Sequence, residues 1–125
     1  MKQRNAAAAL LVVVTVWTAN ASAQDVAWPP SRIQNEWVGN KLFFRGASGG
    51  LFDVFFKADG TIELAGNSFS DTGIWRLTDS GYCDKWQKIR KGDEACHTVI
   101  ERAGQVLVLD LNGSVAATVL RVTKQ

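Results

Sequence analysis

Read for hydrophobic periodicity, the chain falls into two unlike parts: one apolar run near its start and, from Trp37 onward, short alternating segments cut by turn signals. The alternating segments are rich in Phe, Val, Ile and Leu, which suit a pleated, half-buried surface. Residues 38–45 come first, then Ser48-Gly49-Gly50. Residues 51–57 follow, closed by Ala58-Asp59-Gly60, where glycine supplies the positive φ of a tight hairpin. Thr61–Ala65 returns from that turn, 66–71 is a polar loop, and 73–78 runs into Asp79-Ser80-Gly81. Residues 82–89, a tip at 90–94 and a return over 95–101 form the next hairpin. Ala103-Gly104 turns the chain into 105–111, and Asn112-Gly113, a strong hairpin signal, leads into Val115–Thr123.

These are about eight strands joined by connections of roughly two to five residues, too short for crossover helices, so sequence neighbours pair antiparallel. A closed up-and-down barrel and a two-sheet β-sandwich both fit. The barrel is favoured because closure removes both exposed edges, whereas a sandwich needs a longer Greek-key connection. Alternation assigns the faces: Phe52, Val54 and Phe56 oppose Asp53 and Lys57; Trp75 and Leu77 oppose Ile74, Arg76 and Thr78; Ala116, Thr118, Leu120 and Val122 oppose Arg121. Residues 105–111 differ, with Val106 and Val108 on one side and Leu107, Leu109 and Leu111 on the other. That strand is expected to be covered on both faces or set against a partner. An eight-stranded barrel is just wide enough to be filled by side chains or to hold one small ligand.

Ahead of the strands, Pro29-Pro30 marks 24–30 as an extended lead-in, and Ser31 with Gln34 three residues on has the spacing of a capping box over one short helical turn at 31–36. Lys2 and Arg4, the apolar run 6–17 and Ala21-Ser22-Ala23 have the order of an export signal cut before Gln24. The run is shorter than the ~20 residues that span a bilayer, so no membrane span is expected. The expected organisation is a cleaved signal at 1–23, the lead-in and helical turn at 24–36, and a single β-barrel domain at 37–125, exported to the periplasm or the extracellular medium.

Removing the signal changes the charge picture. The whole chain has 14 basic and 12 acidic residues; without Lys2 and Arg4 the numbers are equal, and the electrostatic case for nucleic acid disappears. The two cysteines, Cys83 and Cys96, both lie in the exported part, where an even count predicts one disulfide.

Gly39-Asn40, Phe56 with Asp59-Gly60-Thr61, the run Asp71-Thr72-Gly73-Ile74-Trp75-Arg76, Gly81-Tyr82-Cys83 with Trp86, Glu94-Ala95-Cys96 and Asn112-Gly113 carry a resemblance over residues 39–123. With them the chain resembles a group of small exported bacterial domains of unknown function whose barrel is lipocalin-like, or calycin-like. The resemblance implies that fold and the disulfide, with a short helix closing one barrel end ahead of a tryptophan-bearing first strand. It implies no activity.

Catalytic signals are sparse. His97 is the single histidine; Ser48, Ser68, Ser70, Ser80 and Ser114 lie mostly in turns, and no nucleophile elbow or metal-ligand spacing occurs. The carboxylates Asp53, Asp59, Glu63 and Asp71 lie near turns or on polar faces, where solvation accounts for them. Residues 46–50 lack the Lys-Ser/Thr and helix of a phosphate loop. The chain is therefore expected to be non-enzymatic and to use no metal or cofactor. The basic run Lys85-Trp86-Gln87-Lys88-Ile89-Arg90-Lys91, beside Tyr82, either offers cations and a stacking face to a partner or is a solvated hairpin with Trp86 packed inward. Likewise the aromatic residues either line a pocket or form the core. The candidate ligand or partner residues are Trp37, Phe56, Trp75, Tyr82, Trp86, Lys88, Arg90 and Lys91. The expected function is a binding module for a small apolar molecule or a cell-envelope component. The alternative is a protein-interaction domain, such as a hydrolase inhibitor, acting through its loops and basic hairpin.

Overall fold

In the computed structural model, which describes residues 8–17 and 24–125, eight consecutive strands close into an antiparallel barrel. They are β2 (Lys41–Gly46), β3 (Leu51–Phe56), β4 (Thr61–Ala65), β5 (Ser70–Leu77), β6 (Tyr82–Trp86), β7 (Ala95–Arg102), β8 (Gln105–Asp110) and β9 (Val115–Thr123). Each pairs with the next, and β9 returns to pair with β2 from Lys41↔Thr123 to Gly46↔Ala117, so the cycle has no free edge. A two-residue strand β1 (Val26–Ala27) lies beside the end of β7, and helix α1 (Pro30–Glu36) follows it. The charged start of the expected signal, Lys2 and Arg4, and its cut site Ala21-Ser22-Ala23 lie outside the described residues. Residues 8–17 have no regular secondary structure, and their apolar side chains are exposed. Among the described residues no helix is long and apolar enough to cross a membrane.

The hairpin turns follow from local chemistry. Gly60 and Gly113 take positive φ of 88° and 87°, each ending a three-residue loop closed by a main-chain bond, Lys57 N to Thr61 O and Asp110 N to Ser114 O. Side chains reinforce both: Asp59 Oδ1 accepts from Thr61 N, and Asn112 Oδ1 accepts from Ser114 N. Cys83 lies directly opposite Cys96 across β6 and β7, and the two form a disulfide with a Cα–Cα distance of 3.9 Å. At the start of β6 the chain approaches β7 so closely that a Cβ on Gly81 would sit 1.9 Å from the His97 carbonyl oxygen.

Several boundaries differ from the sequence expectation. The first barrel strand starts at Lys41 rather than at 38, and Trp37 ends α1 instead of belonging to that strand. The helix has Pro29 as its N-cap with no side-chain cap bond, so the Ser31/Gln34 capping box is not formed; a proline in the first turn sets the backbone instead. β5 begins at Ser70, absorbing residues assigned to a loop, and β6 ends at Trp86, giving way to a short turn over Ile89–Gly92 whose backbone is not regular helix. The lead-in supplies β1 and is fastened to β7 by Arg102 to Asp25 (2.7 Å), Arg32 to Glu101 (2.9 Å) and Trp28 Nε1 to Glu101 (3.2 Å). In β9 the register shifts twice, against β8 near Ala116 and against β2 near Leu120. A bulge moves following side chains to the other face. Hence Val119, not Thr118 or Leu120, packs on the core, and Leu120 is 42% exposed.

The main core is aromatic. Trp37 is fully buried, with ring centroids 5.6, 5.9, 5.5 and 6.0 Å from Trp28, Phe44, Phe56 and Tyr82. β8 is covered on both faces: Val108 packs into the barrel, while Leu107 and Leu109 join Ile100 and half-buried Val115 in a second cluster.

Candidate functional site

The barrel is filled at one end and partly open at the other. Ile33 and Trp37 project from α1 and its cap into the end bounded by Leu42, Phe56 and Ile62, all essentially without exposure. Toward the other end the inward residues become smaller. Gly46, Ala116 and Ala117 stand where larger side chains would meet, leaving a partly open cavity of about 170 Å³. Its apolar wall is formed by Phe44, Phe52, Val54, Leu64, Trp86 and Val108, with Ile89 reaching in from the β6–β7 connection. Phe52 lies across glycines: a Cβ on Gly50 or Gly66 would come within 3.0 or 2.9 Å of its ring.

One side of this cavity is polar. Tyr82 and Asp84 on β6, His97 on β7 and Arg90 from the connection line it, and Asp110 on β8 stands behind the imidazole. Arg90 donates to the Asp84 carboxylate in an ion pair, and its Nη2 also lies 3.4 Å from the Asp84 carbonyl oxygen. His97 Nε2 is 3.5 Å from Asp84 Oδ2 and Nδ1 is 3.3 Å from Asp110 Oδ1. The second contact lacks hydrogen-bond alignment, so Nδ1 is a buried polar atom without a partner in a residue only 6% exposed. Burial, then the Asp84 charge, pushes the Tyr82 phenol well above its ordinary pKa, so it enters the site as a neutral hydroxyl.

The β6–β7 connection brings Arg90 into place through an unusual backbone. Arg90 and Lys91 both have φ of 53°, and Gly92 follows at 82°, giving three successive left-handed residues. For side chains with a Cβ this conformation costs roughly 1–2 kcal/mol per residue. Buried Asp71 holds the approach to the turn: Oδ2 accepts from the backbone N–H groups of Lys88 (2.9 Å) and Ile89 (2.8 Å), and Oδ1 from Thr72 N–H (2.8 Å). The assignment of Asp71 to a solvated turn is thereby corrected, since it is 4% exposed and serves as an internal acceptor.

Burial opposes ionisation of Asp71, but the N–H groups of Ile89, Lys88 and Thr72, helped by the Lys88 charge, outweigh it and hold its carboxyl below the ordinary pKa. A depressed folded-state pKa means that the stabilisation is present above the unfolded value of about 3.9 and is lost as pH falls through the folded value. Asp71→Ala is expected to cost about 2 kcal/mol, because it strands buried donors. Asp71→Asn should flatten the acid limb of a stability-against-pH curve measured by urea unfolding below about pH 4. An unchanged limb would remove Asp71 from the acid response.

The eight candidate binding residues separate. Tyr82, Trp86 and Arg90 line the cavity together. Trp37 and Phe56 belong to the filled end; Trp75 packs edge-on to Phe56 and donates Nε1–H to the Lys57 carbonyl (2.9 Å). Lys88 reaches the Ser70 carbonyl (3.2 Å) and lies over Phe69, and Lys91 is exposed. Trp86 is buried, so the basic hairpin offers no indole face to solvent. The disulfide residues share metal-ligating distance with Glu94, but both sulfurs are bonded to each other.

Asp84 and His97 were not among the candidates, although a signal for both existed. Asp84 shares a strand face with Tyr82 and Trp86, and a disulfide that sets Cys83 opposite Cys96 also sets Tyr82 opposite His97. The glycine and alanine positions that leave the cavity carry no comparable sequence mark. No family model, curated protein or solved structure matches the chain.

Proposed function

We propose that this chain is an exported binding module that holds a small, largely apolar molecule in the open half of its barrel. The observation that carries this reading is the cavity itself: about 170 Å³, partly open and walled mainly by aromatic and aliphatic side chains. A dry apolar cavity of about 150 Å³ is large enough to take up benzene. The barrel is compatible with a non-enzymatic binding domain. The disulfide supports an exported location, because such bonds persist in oxidising compartments. A lipocalin-like way of holding ligands is part of the same proposal.

Native mass spectrometry of the purified protein is expected to reveal a co-purified small molecule or, after its removal, uptake of benzyl alcohol. Saturating benzyl alcohol at about 100 times its Kd should stabilise the fold by about 2.7 kcal/mol in a thermal-shift measurement. Ala116→Leu places a larger side chain against the cavity and is expected to abolish that shift at a cost in stability of no more than about 3 kcal/mol. A folded wild-type protein that takes up neither benzene nor benzyl alcohol would sink this reading.

A further inference from the structure

We infer that the polar wall of the cavity selects a ligand whose apolar ring carries an amine or hydroxyl head, and discriminates against a carboxylate. The inference rests on the binding reading above and concerns which chemistry the same cavity accepts. The charged or titratable groups lining the cavity are Tyr82, Asp84, Arg90 and His97, with Asp110 in contact with the imidazole. The one permanent cation among them, Arg90, is already engaged by Asp84. Arg90 and Asp84 cancel within the lining, and Asp110, behind the imidazole with its side chain 46% exposed, adds a largely solvent-screened negative charge. With the imidazole uncharged, the lining presents no net positive charge to an incoming anion.

Hydrogen-bonding capacity points the same way. Asp84 Oδ1 takes the guanidinium, while Oδ2 has only the 3.5 Å approach of His97 Nε2, at the outer limit of a hydrogen bond. His97 is more than nine-tenths buried and turns Nε2 toward Asp84 on the cavity side, while its unpartnered Nδ1 faces Asp110 behind the ring. A ligand amine or hydroxyl donates to the free Asp84 oxygen, and a hydroxyl can also accept from imidazole or from the neutral Tyr82 phenol. A carboxylate would instead be brought beside the buried Asp84 carboxylate, whose only cation is already engaged, where like-charge repulsion is less screened than in water. The volume limits the apolar part to about one six-membered ring with a short head.

The test uses three probes of matched ring and length, benzylamine, benzyl alcohol and benzoate, titrated calorimetrically into the purified protein at pH 7. The amine and alcohol are expected to bind at least about tenfold more tightly than benzoate. Asp84→Asn frees the Arg90 cation and is expected to move the preference toward benzoate by at least about tenfold; Arg90→Gln is expected to move it further toward benzylamine. The wild-type comparison decides the question even if a variant fails to fold. Benzoate binding as tightly as benzylamine to wild type would overturn the head-group inference while leaving the cavity reading intact. Failure of all three probes and of benzene would overturn both. Tight amine binding with a preference unmoved in folded Asp84→Asn would show that this wall does not read the head group, which also overturns the inference.

Discussion

Trp37→Ala is expected to destabilise the barrel by about 4 kcal/mol, a large part of what a domain of this size possesses. The residue is fully buried, sits at the cap of α1 and touches aromatic rings contributed by the lead-in, β2, β3 and β6. Truncation removes its transfer free energy and leaves a void that four elements would have to move together to fill. At the filled end Trp37, together with Ile33, joins the helix to the strands. Its Nε1–H has no hydrogen-bond partner, so Trp37→Phe should lose less than half as much, because it deletes an orphan donor along with part of the volume. Guanidinium unfolding of both variants checks the point. Equal losses for Ala and Phe would show that packing volume does not set the cost. A loss below about 1 kcal/mol for Ala would show that α1 is not coupled to the barrel through this ring.

Replacing both Cys83 and Cys96 with serine is expected to lower stability by about 3 kcal/mol, or roughly 10–20 °C in melting temperature. The two residues are 13 apart in sequence, and opening that loop releases the entropy restrained in the unfolded chain. The bond also braces the strand pair that carries the cavity's polar wall: Asp84 follows Cys83, His97 follows Cys96, and both point inward while the disulfide lies on the opposite face. Reduction of the wild type should reproduce the loss, which thermal unfolding with and without reductant measures. A double mutant with an unchanged melting temperature would refute the staple.

The barrel was legible in the sequence because each hairpin announces itself locally. Phe52, Val54 and Phe56 alternate with polar residues, Asp59-Gly60 and Asn112-Gly113 encode turns, and connections this short admit only antiparallel neighbours. The two-sided cover of β8 was legible for the same reason, since Val and Leu occupy both of its faces, but Leu111, grouped with Leu107 and Leu109, lies past the strand end and is exposed. Misreadings arose where a local rule met a tertiary competitor. A capping-box spacing at Ser31 and Gln34 carried no weight against the proline that sets the first turn. Strict alternation through β9 failed because two bulges each insert a residue that periodicity cannot register. Asp71 looked like an ordinary turn carboxylate because its partners are backbone N–H groups, which carry no residue identity.

By itself, then, the sequence determined the fold class, the main turns, the disulfide and the shared strand face of Tyr82, Asp84 and Trp86, though not that this face points inward; all of these depend on neighbours along the chain or on the period of a strand. Only the tertiary structure decided that Trp37 fills one end while Gly46, Ala116 and Ala117 leave the other partly open, and that a left-handed turn carries Arg90 inward to meet Asp84 near His97. Cavity volume is a difference between the space the backbone encloses and the side chains that enter it, and a half-buried charge cluster is a meeting of residues from separate elements. Neither quantity is written at any one position of the chain.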